Sequence, residues 1–277
     1  MCGLAELKAV EVHVRGVEGL EYVLAAGQRV ADLALSRRRL YYILLRARGD
    51  GVVLGLYGSL ADEAGVVGIY RRITGGRPAY VEHDTYYLAV ALPGARKLES
   101  LAPKALELER CSKGVVGFTL LGETGFLELF ADSDPLQCLL EVFNARPGGR
   151  LSLSPSVLAE TAQLYASPSW RLYKYNPATA EAAAYRGSYW VKASIEVTDG
   201  YVTGVWLSGV FYAAPPMEPF SILETIRGTR FDELVLSNAE LAVDYRVELW
   251  GVTRDDFKNV LRSLHEKAGE KYFTVPD

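Results

Sequence analysis

The stretch that most constrains the fold is Arg71-Arg72-Ile73-Thr74-Gly75-Gly76-Arg77, set between two apolar runs. Gly65-Val66-Val67-Gly68-Ile69-Tyr70 leads in, and Tyr86-Tyr87-Leu88-Ala89-Val90-Ala91-Leu92 follows a few residues later. The pattern reads as strand, turn, strand. Two adjacent glycines let a backbone lie against a ligand with no Cβ in the way. Turn amides beside guanidinium forks can hold a phosphate or a carboxylate. Read plainly, the same residues make a Gly-Gly hairpin whose arginines stand in water.

The totals narrow the functional classes. At 277 residues, 49% apolar and 23% charged, the chain can bury a sizeable core, and two domains are favoured over one. A net charge of −4 offers no basic excess to displace counterions, which argues against nucleic-acid binding; Ser36-Arg37-Arg38-Arg39 is a local basic cluster. No apolar run reaches the ~20 residues of a spanning helix and the start lacks a signal-peptide core, so a soluble, cytosolic protein with no membrane partner is expected. Cys2, Cys111 and Cys138 lack Cys-x-x-Cys spacing, so the sequence suggests neither a disulfide framework nor a zinc site. His13, His83 and His265 are too scattered to suggest a metal cluster. Scarce Asn and Gln (four and three) hint at a heat-adapted source.

Periodicity supplies the elements of an α/β chain. Val10, Val12 and Val14 alternate as a strand, and Leu20, Val23, Leu24, Ala31 and Ala34 fall on a helical period. Leu40–Arg46 and Gly51–Gly58 read as adjacent strands of one sheet about the turn at Arg48–Gly51. Ala95–Cys111 and Asp134–Phe143 read as helices, and Phe126–Ala131 as a strand. Asn144-Ala145-Arg146-Pro147-Gly148-Gly149-Arg150 is the best linker, which divides the chain into residues 1–148 and 156–277. Beyond it, Asp199-Gly200 between two alternating runs marks a hairpin. Glu218–Arg227 is a helix stopped by Gly228. Thr253 and Asp256 form a capping box before a helix with Phe257, Val260, Leu261 and Leu264 on one face.

The central stretch resembles the signature of the lipoate–protein ligase, octanoyltransferase and biotin–protein ligase superfamily, whose lipoate branch carries Arg-Arg-x-(Ser/Thr)-Gly-Gly-(Gly/Arg)-Ala-Val-x-His-Asp. Arg71, Arg72, Thr74, Gly75, Gly76, Arg77, His83 and Asp84 match it, with about two extra residues between Arg77 and His83. The likeness runs in register from about Glu18 to Leu92, and the order of elements after Trp170 resembles the accessory domain of many lipoate ligases. It implies a mixed-sheet catalytic domain followed by a smaller α/β accessory domain.

The resemblance also implies a chemistry: ATP with Mg²⁺ activates lipoate or octanoate as an acyl-adenylate, and a lysine of a lipoyl acceptor domain then attacks it. Such chemistry needs cations for phosphate, an apolar slot for the chain and a donor at the carbonyl. Arg71 and Arg72 are the phosphate candidates, though strand alternation points only one inward. Thr74, Gly75, Gly76 and Arg77 would approach the ligand, Val52, Leu54, Tyr80 and Tyr87 would wall the slot, and His83 with Asp84 would order the turn. The family's Gly-Lys-Lys-(Ile/Val)-x-Gly meets Ser112-Lys113-Gly114-Val115-Val116-Gly117, so Lys113 stands one place early for the catalytic lysine. The family's Asn-Asp pair for Mg²⁺ has no counterpart, and no metal site is identified. Two other readings follow: a non-catalytic relative that binds an acyl ligand or lipoyl domain, and an acyltransferase using Cys111, whose thiol is otherwise an inert buried group.

Overall fold

The computed structural model describes residues 7–17, 19–59, 68–173, 175–176, 178–231 and 233–273. The Met1-Cys2-Gly3 start, which resembles that of amidotransferases with an N-terminal cysteine, and Gly65–Val67 of the leading apolar run lie outside them.

The chain opens with β1 (Leu7–Val14), α1 (Leu20–Arg37), β2 (Leu40–Arg46) and β3 (Gly51–Leu54). β4 (Ile69–Arg71), β5 (Ala79–Val81), β6 (Tyr86–Pro93), α2 (Leu98–Ser112), β7 (Val115–Leu121), β8 (Thr124–Ala131), α3 (Leu136–Val142) and β9 (Ala145–Leu153) follow. Six of these strands form a mixed sheet in the order β7-β8-β6-β2-β1-β9. Alternation sorts its side chains. Ile43, Tyr87, Ala89 and Phe130 face α1, whereas Leu88, Val90, Leu127 and Leu129 face α2. A 3₁₀ turn (Pro155–Leu158) then leads into α4 (Ala159–Ala166), whose Ala162 and Tyr165 join the core under α1.

The second half comprises α5 (Pro168–Arg171), β10 (Ala180–Arg186), β11 (Tyr189–Thr198), β12 (Tyr201–Val210), β13 (Tyr212–Ala214), α6 (Glu218–Glu224), α7 (Glu233–Arg246), β14 (Glu248–Trp250) and α8 (Arg254–Phe273). Strands β10-β11-β12 form an antiparallel sheet covered by α8. Its β11–β12 hairpin turns at Asp199 and Gly200, both at positive φ as the Asp-Gly pair predicts. Thr253 and Asp256 cap α8 reciprocally, and Phe257, Val260, Leu261 and Leu264 are all buried. Among the described residues no helix is long and apolar enough to cross a membrane.

Four expectations need correction. The 144–150 segment is a strand, not a linker: β9 pairs in parallel with β1, with a register shift opposite Ala9 and Val10. It lies at the sheet edge, where an extra residue and a proline are tolerated. β2 and β3 belong to different sheets, since β3 lies between β4 and β5 in a small sheet of its own. For the same reason β4 and β5 do not form a hairpin; each pairs with β3, one parallel and one antiparallel. Finally, Cys111 and Cys138 form a disulfide with their Cα atoms 5.8 Å apart. Packing of α2 on α3 brings together cysteines 27 residues apart, a closeness their spacing could not reveal. A sulfur held in that bond is neither a free inert thiol nor a thioester nucleophile.

The cross-link joins positions 27 apart, so replacing both cysteines by serine should cost about 3–4 kcal/mol by loop-closure entropy. Urea unfolding of the double variant against the oxidised parent measures it.

Candidate functional site

The arginine–glycine turn lies between the six-stranded sheet and the second half of the chain. Arg71, the last residue of β4, is 2% exposed. Its Nη1 donates to the carbonyls of Gly58 (2.6 Å), Leu56 (2.7 Å) and Gly55 (3.2 Å). Its Nε and Nη2 donate to the carbonyls of Trp170 (3.1 Å) and Tyr173 (3.3 Å), and the Trp170 indole N–H donates back to the Arg71 carbonyl (2.8 Å). Burial pushes its pKa down to about 10, with Tyr173 opposing.

Arg72 is wholly buried and turns toward the sheet. Its Nη2 donates to the carbonyls of Arg77 (2.8 Å) and Gly75 (3.1 Å), while Nε and Nη1 have no partner among the described residues. Gly117 of β7 leaves room for it: a Cβ there would meet the Thr74 hydroxyl at 2.2 Å and Arg72 Nε at 2.5 Å. Beneath lies Glu128, wholly buried on β8, which accepts from the hydroxyls of Thr74 (2.7 Å) and Tyr87 (2.9 Å). Burial raises the Glu128 pKa, while the Arg72 charge and the two hydroxyls pull it down. Both arginines therefore point inward, against the expectation of one. They do so because β4 ends where the chain is covered on both sides.

The two glycines meet protein. Gly76 N–H donates to the Phe211 carbonyl (3.0 Å), and a Cβ on Gly75 would lie 2.1 Å from that oxygen. Gly76 has φ 96°, and a Cβ there would strike the Tyr212 ring. That ring stacks on Phe118 with centroids 3.8 Å apart, and its hydroxyl donates to the Val116 carbonyl (3.3 Å). The 55–58 turn is inserted in return: Tyr57 stacks on Phe211 (4.1 Å) inside the second core.

The remaining expected residues are dispersed. Val52, Leu54 and Tyr87 are buried, but Tyr80 is 67% exposed and walls no slot. Arg77 pairs with Glu109 of α2. His83 and Asp84 are exposed, with Nδ1 and Oδ2 3.2 Å apart, and the His83 N–H donates to Asp50. Lys113 occupies the left-handed cap at the end of α2 (φ 54°), exposed, and no hydrogen bond or ion pair holds its side chain among the described residues. The hollow beside Arg71, also lined by Leu56, Trp170, Tyr173, Met217 and Phe220, measures about 130 Å³. Sequence reasoning missed Glu128 and the covering residues Trp170, Tyr173, Phe211 and Tyr212. Only Glu128 carried a signal, as a lone acid inside Phe126-Leu127-Glu128-Leu129-Phe130.

Two tests follow. Gly75→Ala should lose on the order of 3 kcal/mol, because its Cβ overlaps a fixed backbone oxygen; a glycine kept for a ligand would lose little, and urea unfolding separates the two. Glu128 has a folded pKa above its unfolded value, so its contribution is full below the unfolded carboxyl range and declines as pH rises through the folded pKa. Glu128→Gln removes that titration, so the stability of the variant relative to the parent should rise as pH climbs above the unfolded carboxyl range of about 4, as urea unfolding across a pH series would show.

No family model matches the sequence, and no curated protein matches it. Solved structures do. P. falciparum LipL1, in complex with lipoate, aligns with a TM-score of 0.60 at 11% identity, over 93% of this chain and 99% of that one. A putative lipoate protein ligase from T. acidophilum with bound lipoic acid aligns at 0.45 and 10%, over 61% of this chain and 100% of that one. Lipoate-protein ligase A bound with ATP aligns at 0.46 and 9%, over 60% and 98%. Carried by the first of these, which spans both halves, the conclusion is that the chain has the fold of the lipoate–protein ligase type.

Proposed function

We propose that this chain belongs to the lipoate–protein ligase family and handles a lipoyl or octanoyl group, binding the acyl ligand or a lipoyl acceptor domain without making an acyl-adenylate of its own. The fold shared over nearly the whole of this chain and of LipL1 supports the family and the ligand class. The filling of the glycine turn by Phe211 and Tyr212 carries the rest.

An adenylate needs free cationic donors for its phosphate and a hollow for its ring and chain. Arg71 gives its donors to backbone carbonyls and Arg77 is paired with Glu109, while the two donors that Arg72 leaves unpaired among the described residues are buried. The hollow beside Arg71 is smaller than the roughly 150 Å³ cavity that holds one benzene. Among the described residues no three acidic, cysteine or histidine side chains gather to hold Mg²⁺. The described residues at the glycine turn thus leave no room for a nucleotide in this conformation, and no step is routed through ATP or Mg²⁺.

A second reading is the ATP-dependent ligase, with Arg71 to Asp84 holding nucleotide and acyl chain and Lys113 at the carbonyl. The thinness of the seal favours it. Besides ring stacking, the hydrogen bonds Gly76–Phe211, Tyr212–Val116 and Thr119–Ala213 hold β13 over the turn, and its departure would open the glycines.

Pyrophosphate exchange and thermal shift separate the readings. The first predicts no lipoate- or octanoate-dependent exchange. It also predicts a raised Tm with lipoate or a lipoyl domain, equivalent to about 2.7 kcal/mol at one hundred times Kd. Lipoate-dependent exchange would establish the second reading in its place; no exchange and no binding of either ligand would remove both.

A further inference from the structure

A groove of about 570 Å³ opens beside Tyr189, whose ring meets that of Tyr212 edge-on (6.2 Å), where α2 meets the β10–β11 turn and β14. Leu106, Tyr189, Leu249, Trp250 and Val252 form its apolar floor, and Arg186 stands on its rim. The first half of the chain contributes Leu106 and the second half the rest, and such junctions are where ligand sites concentrate. Gly251 lets the Tyr189 ring lie flat on the floor, since a Cβ there would sit 2.6 Å from the ring.

Arg186 sets the ligand's chemistry. The Arg186 Nε donates to Asp256 Oδ2 (3.1 Å), an oxygen that also accepts from the Thr253 N–H (2.8 Å) and hydroxyl (2.7 Å). The helix cap thus fixes the guanidinium by one edge. Both Nη groups are left without an acceptor among the described residues, and a guanidinium edge matches a carboxylate. The Trp250 indole N–H is buried beneath the groove with no acceptor among the described residues, which leaves Arg186 as the donor that a ligand can reach. No acid is among the lining residues. An apolar trough with one oriented guanidinium at its rim complements an amphipathic monocarboxylate.

We propose that this groove binds a medium-chain carboxylate, with the chain along Leu106, Tyr189 and Trp250 and the carboxylate on Arg186. The choice of an eight-carbon chain rests on the proposed acyl-handling function; the groove and its charge do not. Its volume lies inside the roughly 300–1,000 Å³ range of small-molecule sites.

Calorimetric titration of the full chain with octanoate, lipoate and octanol tests it. Octanoate and lipoate should bind, and octanol at least tenfold more weakly. Arg186→Gln, at an exposed position, should weaken octanoate about tenfold and leave octanol unchanged. Leu106→Glu should abolish both, with circular dichroism and Tm reporting its folding; Leu106→Trp, which fills the trough without adding charge, should also abolish both. Octanoate binding that all three variants leave intact would overturn the groove and leave the acyl-handling function standing. If neither octanoate nor lipoate binds the parent chain, the groove falls, and that function falls with it only if a lipoyl domain also fails to bind.

Discussion

Arg71 places a guanidinium where the turn at residues 55–58 meets the chain at Trp170 and Tyr173, and five backbone carbonyls from both segments converge on it. Removing a charged group from water costs several kcal/mol, and no acid within reach repays it by direct pairing among the described residues. Carbonyl dipoles do so instead, in a geometry that a planar fork satisfies and a point ammonium does not. With its pKa near 10 the group still carries its proton at neutral pH. The halves are tied to one another through this cation: carbonyls from one side alone would leave part of the fork dry and unpaired.

Arg72 and Glu128 repeat the arrangement one layer down with opposite charges. Burial pulls the Arg72 pKa down and pushes the Glu128 pKa up, and each charge moderates the penalty on the other. Thr74 and Tyr87 complete the carboxylate's hydrogen bonds, and Gly27 of α1 is glycine where the Tyr87 hydroxyl needs space, since a Cβ would lie 1.8 Å from it. The polar layer between the turn and the sheet thus has a specific partner for the carboxylate on each side. Two Arg72 donor atoms remain unpaired among the described residues.

Local signals read correctly from the sequence were those decided locally. The Asp199-Gly200 hairpin, the Thr253/Asp256 cap and the apolar face of α8 depend on residues within a few positions of each other. Pairing between distant segments was not legible. Pro147 and Gly148 look like a linker because nothing nearby reveals that β1 waits alongside, with Gly148 bulged out of register between Ala9 and Val10. Val52 and Ile69 pair in parallel across an intervening segment, a choice that alternation cannot express. Cys111 and Cys138 meet only because two helices pack. At the site, the signature located a turn that matters, but whether its cations face a ligand or carbonyl oxygens depended on residues about 100 and 140 positions away (Trp170, Tyr173, Phe211 and Tyr212), beyond any motif's reach.

Glycine is ambiguous for the same reason. A Cβ-free backbone with φ 96° at Gly76 permits close approach by anything flat, and here the flat object is the Tyr212 ring, held between Gly76 and Phe118 with its hydroxyl on the Val116 carbonyl. Tyr212 imposes the same requirement on position 76 that a bound planar ligand would impose. A chain with this interior can therefore keep the glycines of a ligand-binding turn for packing alone, and the motif would look the same in either case. What distinguishes the cases is the energy of the unliganded protein. A turn built for a ligand leaves its glycines facing solvent when empty, whereas one closed by Phe211 and Tyr212 draws folding stability from them, and the hollow left beside Arg71 is correspondingly small.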